Sequence, residues 1–81
     1  SGKAFEAIQA AMPAFNHYGF DIARYRIFVD DLGTNIGVTF YDADVPTSRL
    51  AASIGSPGKI PGVSVEVDRT RLRVIRSGLV Q

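Results

Sequence analysis

The sequence predicts an α+β fold, in which an N-terminal helix packs across one face of a four-stranded antiparallel meander sheet. Three observations predict it. Apolar residues recur at helical spacing near the N-terminus, two later segments alternate apolar and polar residues about a turn, and a long connection separates those two segments. A chain of 81 residues builds one domain with one core, so the predicted strands share a single sheet. The second face of that sheet is then left open.

The helix is predicted over residues 3–17. Four apolar side chains follow one another at intervals of three or four residues, which places them on one stripe of a helix. They are Phe5, Ile8, Met12 and Phe15. Pro13 removes a backbone hydrogen bond, so we expect a kink or a loosened last turn there, and Gly19 is a natural stop.

The first hairpin is predicted over residues 24–42, with a short polar turn at its centre. Both strands alternate apolar and polar residues, which is typical of strands with one covered face. In the register that centres the turn, Ile27 pairs with Phe40 and Val29 pairs with Val38. These four side chains then lie on the same face of the sheet.

The second hairpin is predicted over residues 63–80, with a tight turn at residues 68–71. The expected pairs are Val67 with Leu72, Glu66 with Arg73 and Val65 with Val74. Val74 and Ile75 are adjacent apolar residues, which predicts either a β-bulge or a strand with both faces partly covered.

The connection between the hairpins, residues 43–62, is longer than loops without structure of their own usually are. Residues 47–54 favour one or two helical turns, and the stretch GSPGKIPG at 55–62 ends all regularity. A phosphate-binding loop requires serine or threonine after its lysine, but Lys59 is followed by isoleucine, and Ser53 stands where the first glycine belongs. We interpret the stretch as a crossover, the alternative being a loop that contacts a partner.

Composition restricts the class of protein. The chain has 46% hydrophobic residues, no cysteine and a net charge of +1, which is far from the basic balance of a dedicated nucleic-acid binder. No apolar run approaches the length of a membrane span, and no secretory signal is evident, so we expect a soluble protein, in the cytoplasm or the periplasm. Ser1-Gly2 matches the remnant of a removed purification tag, which leaves a longer native N-terminus open.

The residue types predict neither an enzyme nor a metal or cofactor site. His17 is the only histidine, and with no cysteine present it has no partner for a metal site or a nucleophile–base pair. A cation site built from Asp21, Asp42 and Asp44 is conceivable, but the spacing does not match a calcium loop, and Arg24 competes as a charge partner. We therefore expect solvated or ion-paired carboxylates.

Arginines make the last hairpin locally basic. They are Arg69, Arg71, Arg73 and Arg76. The paired aromatic motifs of base-stacking sheets are missing, and Glu66 and Asp68 account for part of the charge, so nucleic-acid binding is not expected.

The open face of the sheet is the predicted partner-binding site, because it mixes arginine with aromatic and aliphatic side chains as interfaces do. The candidates are Arg26, Phe28, Tyr41, Arg73 and Ile75, beside Ser64. The occupant is either a protein partner or a second copy of the chain. The alternative is that the connection 43–62 folds back over this face.

Several segments resemble small bacterial domains with one helix on a cystatin-like antiparallel sheet, including PepSY-type domains and immunity proteins with a nuclear-transport-factor-like fold. The segments are residues 19–22, 25–29, 38–40, 61–68 and 72–75. The run Val65-Glu66-Val67-Asp68 into a charged turn carries most of the likeness, although the usual glycine of that turn is absent. The resemblance implies a non-catalytic domain that binds a protein, as an inhibitor, toxin antagonist or protease-associated module. No family site residue matches a position in this chain.

The function expected from the sequence is therefore a non-catalytic binding or inhibitory module of bacterial type that acts through the open face of its sheet. The alternative is a structural homodimerising or accessory domain. A small-molecule pocket between helix and sheet also stays open.

Overall fold

The computed structural model describes residues 2–44 and 60–80, which form one helix and four strands. Helix α1 spans Gly2–His17, and a short 3-10 turn, Ile22–Arg24, leads into the sheet. The strands are β1 Tyr25–Asp31, β2 Asn35–Asp42, β3 Gly62–Asp68 and β4 Val74–Val80. The sheet has the order β1-β2-β3-β4 with every neighbouring pair antiparallel, so the predicted α+β fold with a four-stranded meander is confirmed.

Helix α1 lies across β3, with β2 and β4 on either side. Its fully buried residues are Ala7, Ala11 and Phe15, whereas the side chain of Phe5 is 61% exposed. The predicted stripe is therefore wrong at Phe5 and is rotated toward the alanines, because small side chains let the helix approach the sheet closely. Of the remaining stripe residues, Ile8 and Met12 are partly buried against the core.

The helix continues through Pro13 and ends at His17, and Gly19 follows it as the expected stop. Gly19 adopts a φ of 75°, a left-handed conformation that glycine takes without steric cost, and its N–H donates to the carbonyl of Asn16 at 3.0 Å.

Strands β2 and β3 supply the centre of the core. Every second residue along them is buried under the helix, namely Ile36, Val38, Phe40, Val63, Val65 and Val67. The predicted register of the first hairpin is confirmed, since Ile27 pairs with Phe40 and Val29 with Val38. Gly33 in the turn has a φ of 92°, which a residue with a side chain rarely adopts.

The second hairpin differs from its prediction. Val67 pairs with Val74, Glu66 with Arg76 and Val65 with Ser77, so β4 is shifted from the expected register. The reason is the turn, which occupies residues 69–73. Asp68 Oδ1 accepts hydrogen bonds from the N–H groups of Thr70 and Arg71, and the N–H of Asp68 donates to the carbonyl of Arg73.

A register shift follows this turn, so of the two predicted alternatives for Val74-Ile75 the β-bulge is present. Val74 pairs with Val67 and Arg76 pairs with Glu66, which leaves Ile75 as the extra residue of the bulge. The bulge accommodates two adjacent apolar residues without moving the rest of β4 to the wrong face.

Aromatic rings close one end of the core. The ring centroid of Phe15 lies 4.4 Å from that of Phe40 and 5.0 Å from that of Tyr25. The hydroxyl of Tyr25 donates a hydrogen bond to the carbonyl of Pro61 at 2.7 Å. The last turn of the helix, β1 and the start of β3 are thereby tied together.

Candidate interaction surfaces

The open face of the sheet, which α1 does not cover, is formed by three rows of residues that cross the four strands. The pairing of the strands defines the rows. The first is Arg26, Tyr41, Gly62 and Val80, the second is Phe28, Thr39, Ser64 and Gly78, and the third is Asp30, Gly37, Glu66 and Arg76. From here on, "open face" means these twelve residues.

An aromatic pair stands at the β1–β2 side of the open face. The rings of Phe28 and Tyr41 meet edge to face, with centroids 5.7 Å apart. Beside them Arg26 donates from its guanidinium to the carbonyl of Ala43 at 3.0 Å, which holds its side chain along the end of β2. The pair is half-buried rather than projecting.

Small residues form the floor beside this pair. Across from Phe28 the row continues through Thr39 and Ser64 to Gly78, and none of these side chains is larger than that of threonine. Together with the rings, they make a step between bulky aromatic side chains and a floor of small side chains.

The structure brings together three of the five predicted partner-binding residues and separates the other two. Arg26, Phe28 and Tyr41 are neighbours on β1 and β2. Arg73 lies in the turn before β4, and Ile75 lies in the bulge on the far edge strand, with β2 and β3 between it and Phe28. Ile75 and Phe28, both predicted for the open face, therefore do not lie beside each other.

Arg76 takes the place that was predicted for Arg73. Its Nε lies 3.1 Å from Oε2 of Glu66, so the ion pair expected across the second hairpin exists with a different arginine. Arginines stand two positions apart at 69, 71 and 73, and Arg76 continues this series only if a bulge adds one residue to β4. That spacing was the signal for Arg76 in the sequence.

A second apolar surface lies on the opposite side of the sheet, at its β4 edge. The described residues expose six large apolar side chains, of which three lie on β4 and a fourth lies on α1, a helix that contacts β4. They are Phe5, Val74, Ile75 and Leu79, with exposed fractions of 61%, 40%, 45% and 49%. This group is named the edge surface below, and sequence reasoning missed it because it had placed Phe5 in the core and Ile75 on the open face.

A cleft of about 190 Å³ opens between the start of α1 and the sheet, where a small-molecule pocket was considered. Its lining residues are Lys3, Ala4, Val29, Asp31, Ile36 and Arg69. Two of its charged groups, Asp31 and Arg69, are engaged with the protein itself. Arg69 donates from Nε to the carbonyl of Gly33 at 2.8 Å and forms an ion pair with Asp31. The N–H of Gly33 and then the Arg69 guanidinium hold the pKa of the Asp31 carboxyl below its ordinary value.

Two of the three carboxylates considered for a cation site also accept backbone hydrogen bonds. Asp21 Oδ1 accepts from the N–H of Ala23 at 3.0 Å, and Asp42 Oδ1 accepts from the N–H of Asp44 at 2.9 Å. Within residues 2–44 and 60–80, no three histidine or acidic side chains lie close enough to hold a metal ion.

Other predicted features lie outside the described residues or carry no further argument. The helical turns at 47–54 and most of the stretch at 55–62 fall outside them, as does any fold-back of the connection over the open face.

His17, at the helix end, meets the ring of Tyr18 at a centroid distance of 5.7 Å. Across the part of the chain that the structure describes, no helix is long and apolar enough to cross a membrane.

Comparisons with protein-family models, with curated proteins and with solved structures find no match to this chain. The resemblance to cystatin-like domains stays a prediction from the sequence.

Proposed function

We propose that this domain is a non-catalytic protein-binding module of bacterial type that holds a protein partner on the open face of its sheet. The observation that carries the proposal is the step on that face, where the aromatic pair Phe28 and Tyr41 stands beside the floor of Thr39, Ser64 and Gly78. The resemblance to cystatin-like domains adds the expectation of an inhibitor, toxin antagonist or protease-associated module.

The residue types of the open face suit a protein more than a small molecule. Aromatic and arginine side chains supply much of the binding energy at protein interfaces, and they do so best beside a flat area from which water is excluded. The threonine and serine hydroxyls of the floor offer hydrogen bonds at its centre. Asp30, Glu66 and Arg76 form a polar row along one side, as in the rim of an interface.

The contacts of the polar side chains support a binding role over a catalytic one. Asp31 pairs with Arg69, Glu66 pairs with Arg76, and the Tyr25 hydroxyl donates to a backbone carbonyl. A catalytic acid or base must reach a substrate proton, whereas each of these groups already has a structural partner.

A structural homodimerising or accessory domain is the second candidate, in which the open face is buried permanently. Both candidates use the same residues, but they predict different effects of a substitution at Phe28. In the first, the folded protein loses its partner, and in the second, the protein unfolds or its oligomer dissociates.

The test compares Phe28→Asp with the matched control Ile22→Asp, which places the same charge on an exposed apolar residue outside the open face. Each tagged variant is used to retain proteins from a bacterial extract, and the retained protein is then purified and titrated by calorimetry. We expect wild type and Ile22→Asp to bind it equally, and Phe28→Asp to lose at least tenfold in affinity, which corresponds to about 1.4 kcal/mol.

The folded state is checked in parallel by circular dichroism and light scattering. If Phe28→Asp unfolds the chain or dissociates an oligomer, the structural candidate is favoured. If it binds the purified partner as wild type does, the open face is not the binding site.

A further inference from the structure

We propose that a second copy of this chain pairs with β4 in antiparallel register about Ser77, so that the two four-stranded sheets continue as one sheet of eight strands. This interaction uses the edge surface and is independent of the open face.

The first reason is the state of the β4 edge. Within the described residues β4 pairs with β3 on one side only, so its other side presents backbone N–H and C=O groups along seven residues. The opposite edge strand, β1, carries charge at Arg26, Asp30 and Asp31, which protects an edge from pairing. On β4 the one charged side chain is Arg76, and it is engaged by Glu66 on the open face.

The second reason is that the β4 sequence, VIRSGLV, is complementary to itself in reverse. With a two-fold axis at Ser77, Ile75 of one copy lies opposite Leu79 of the other, and the same pair recurs across the axis. Arg76 lies opposite Gly78, so the two arginines stay apart. A register centred one residue earlier places Arg76 directly opposite its own copy, which repulsion disfavours.

The third reason is that three of the four large apolar residues of β4, all except Val80, face the helix side of the sheet. Val74 pairs with the buried Val67 and therefore shares its face. Arg76 shares the open face with Glu66, so alternation places Ile75, Ser77 and Leu79 on the helix side. The exposed apolar area of Ile75 and Leu79 can therefore be covered by the sheet and helix of a second copy.

The fourth reason is the flank of α1 that faces β4. Lys3 lines the cleft beside Val29 and Asp31 of β1, so this flank of the helix faces β1. At 100° per residue, Phe5, Ile8 and Met12 lie on the opposite flank, toward β4. The exposure of Phe5 is thus on the side where the second copy is placed.

The dimensions fit. A two-fold axis perpendicular to the sheet leaves both helices on the same face, each above its own β3. Three strand spacings separate the two β3 strands, about 14 Å, and helices with side chains are about 10 Å across. That leaves at most about 4 Å between the two helices, which the longest side chains on the facing flanks, Phe5 and Met12, can bridge above Ile75 and Leu79.

A consequence for binding follows. The two open faces lie side by side on the other surface of the extended sheet, so the dimer presents the proposed partner site twice in the same direction.

The test uses the absence of cysteine in this chain. Ser77→Cys places two thiols opposite each other at the proposed axis, where paired Cα atoms are about 4.5–5.5 Å apart, within the range that a disulfide spans. The matched control is Ser64→Cys, which puts an exposed thiol on the open face of β3. We expect mild oxidation to convert Ser77→Cys to a covalent dimer at least tenfold faster than Ser64→Cys.

A pair of charge substitutions tests the register. Ile75→Lys and Leu79→Glu are each expected to give a monomer by light scattering, because each leaves a charge opposite an apolar side chain. The double variant places lysine opposite glutamate at both ends of the axis and is expected to restore a dimer that weakens with added salt. Both residues are already exposed, so the fold tolerates the substitutions.

The proposal is overturned if the wild-type chain is a monomer across the concentrations at which light scattering can weigh it. It is overturned equally if Ser64→Cys crosslinks faster than Ser77→Cys, which would place a dimer on the open face. If the dimer proposal is right, Phe28→Asp leaves the dimer intact. The failure of the dimer proposal can therefore be told apart from the failure of the proposed function.

Discussion

The hydroxyl of Tyr25, at the first residue of β1, donates a 2.7 Å hydrogen bond to the carbonyl of Pro61, at the residue before β3. The two residues are 36 positions apart, and β2 lies between their strands in the sheet. The tyrosine ring is buried against Phe15, so its position is determined by the core while its hydroxyl reaches the backbone. The bond marks the point at which the connection returns to the sheet.

Tyr25→Phe is expected to lower the free energy of unfolding by about 0.5–1.5 kcal/mol, the net worth of one intramolecular hydrogen bond. The ring stays in place, so the core packing is preserved. Since Pro61 is exposed, water can satisfy its carbonyl in the variant, which places the expected loss at the lower end. Urea unfolding measures it. An unchanged midpoint would show that the bond contributes nothing in solution.

The same residue predicts a loss of stability in alkali. Burial raises the pKa of the Tyr25 phenol above its ordinary value of about 10, the neighbouring Arg24 lowers it in part, and Asp42 raises it further. As pH rises through the ordinary value, the unfolded chain releases this proton first, so the contribution of Tyr25 to stability is constant below about pH 10 and falls above it. In Tyr25→Phe this component is missing. The check is urea unfolding of both proteins across a series of alkaline pH values. The difference between their free energies of unfolding should become smaller as pH rises.

Asp31 predicts the corresponding effect in acid. Its pKa is lowered by the Gly33 N–H and by Arg69, so its stabilising effect is present above the ordinary pKa of about 4 and is lost as pH falls through the lower value of the folded state. Asp31→Asn keeps an oxygen for the Gly33 N–H and removes the charge. We expect its unfolding midpoint to depend less on pH in acid than that of the wild type. Asp30→Asn removes a neighbouring exposed carboxylate that makes neither contact, and serves as the control.

Gly62→Ala tests the packing at the start of β3. An added Cβ would lie 3.1 Å from the carbonyl oxygen of Phe40 and 3.3 Å from Cβ of Val80, and neither atom moves without the backbone. The expected cost is about 1–3 kcal/mol in the free energy of unfolding. Gly78→Ala is the control, because nothing lies within 4 Å of its added Cβ. It is expected to be neutral or slightly stabilising, since alanine restricts the unfolded chain. Equal effects of the two substitutions would contradict the tight approach at Gly62.

Local patterns were sufficient for the first hairpin. Alternation and a short turn predicted the pairing of Ile27 with Phe40 and of Val29 with Val38, and both pairs are present. Neighbouring strands joined by a short turn leave few registers open, and the one that pairs these four residues places all of them on the covered face. The α+β class followed from the order of such segments.

Local patterns failed where a side chain competed with them. The carboxylate of Asp68 caps two backbone N–H groups and lengthens the turn to residues 69–73, so β4 pairs in a different register and Arg76 meets Glu66 in place of Arg73. In the helix, the apolar stripe was centred on the largest side chains, but the sheet received Ala7 and Ala11 instead. Close packing of a helix on a valine-rich sheet rewards small residues, and periodicity alone does not weigh size.

The sequence by itself determined the class of the fold, the first hairpin and the grouping of Arg26, Phe28 and Tyr41, because these depend on residues near one another along the chain. Only the tertiary structure decided where the exposed apolar area lies. The contact between α1 and β3 is made by the alanine side of the helix and leaves Phe5 exposed, and the bulge after the long turn places Ile75 and Leu79 on the helix side of β4. That surface joins residues from the two ends of the described chain, and its existence depends on the rotation of a helix and a one-residue shift in a strand. Both are set by packing between distant segments, which no local pattern contains.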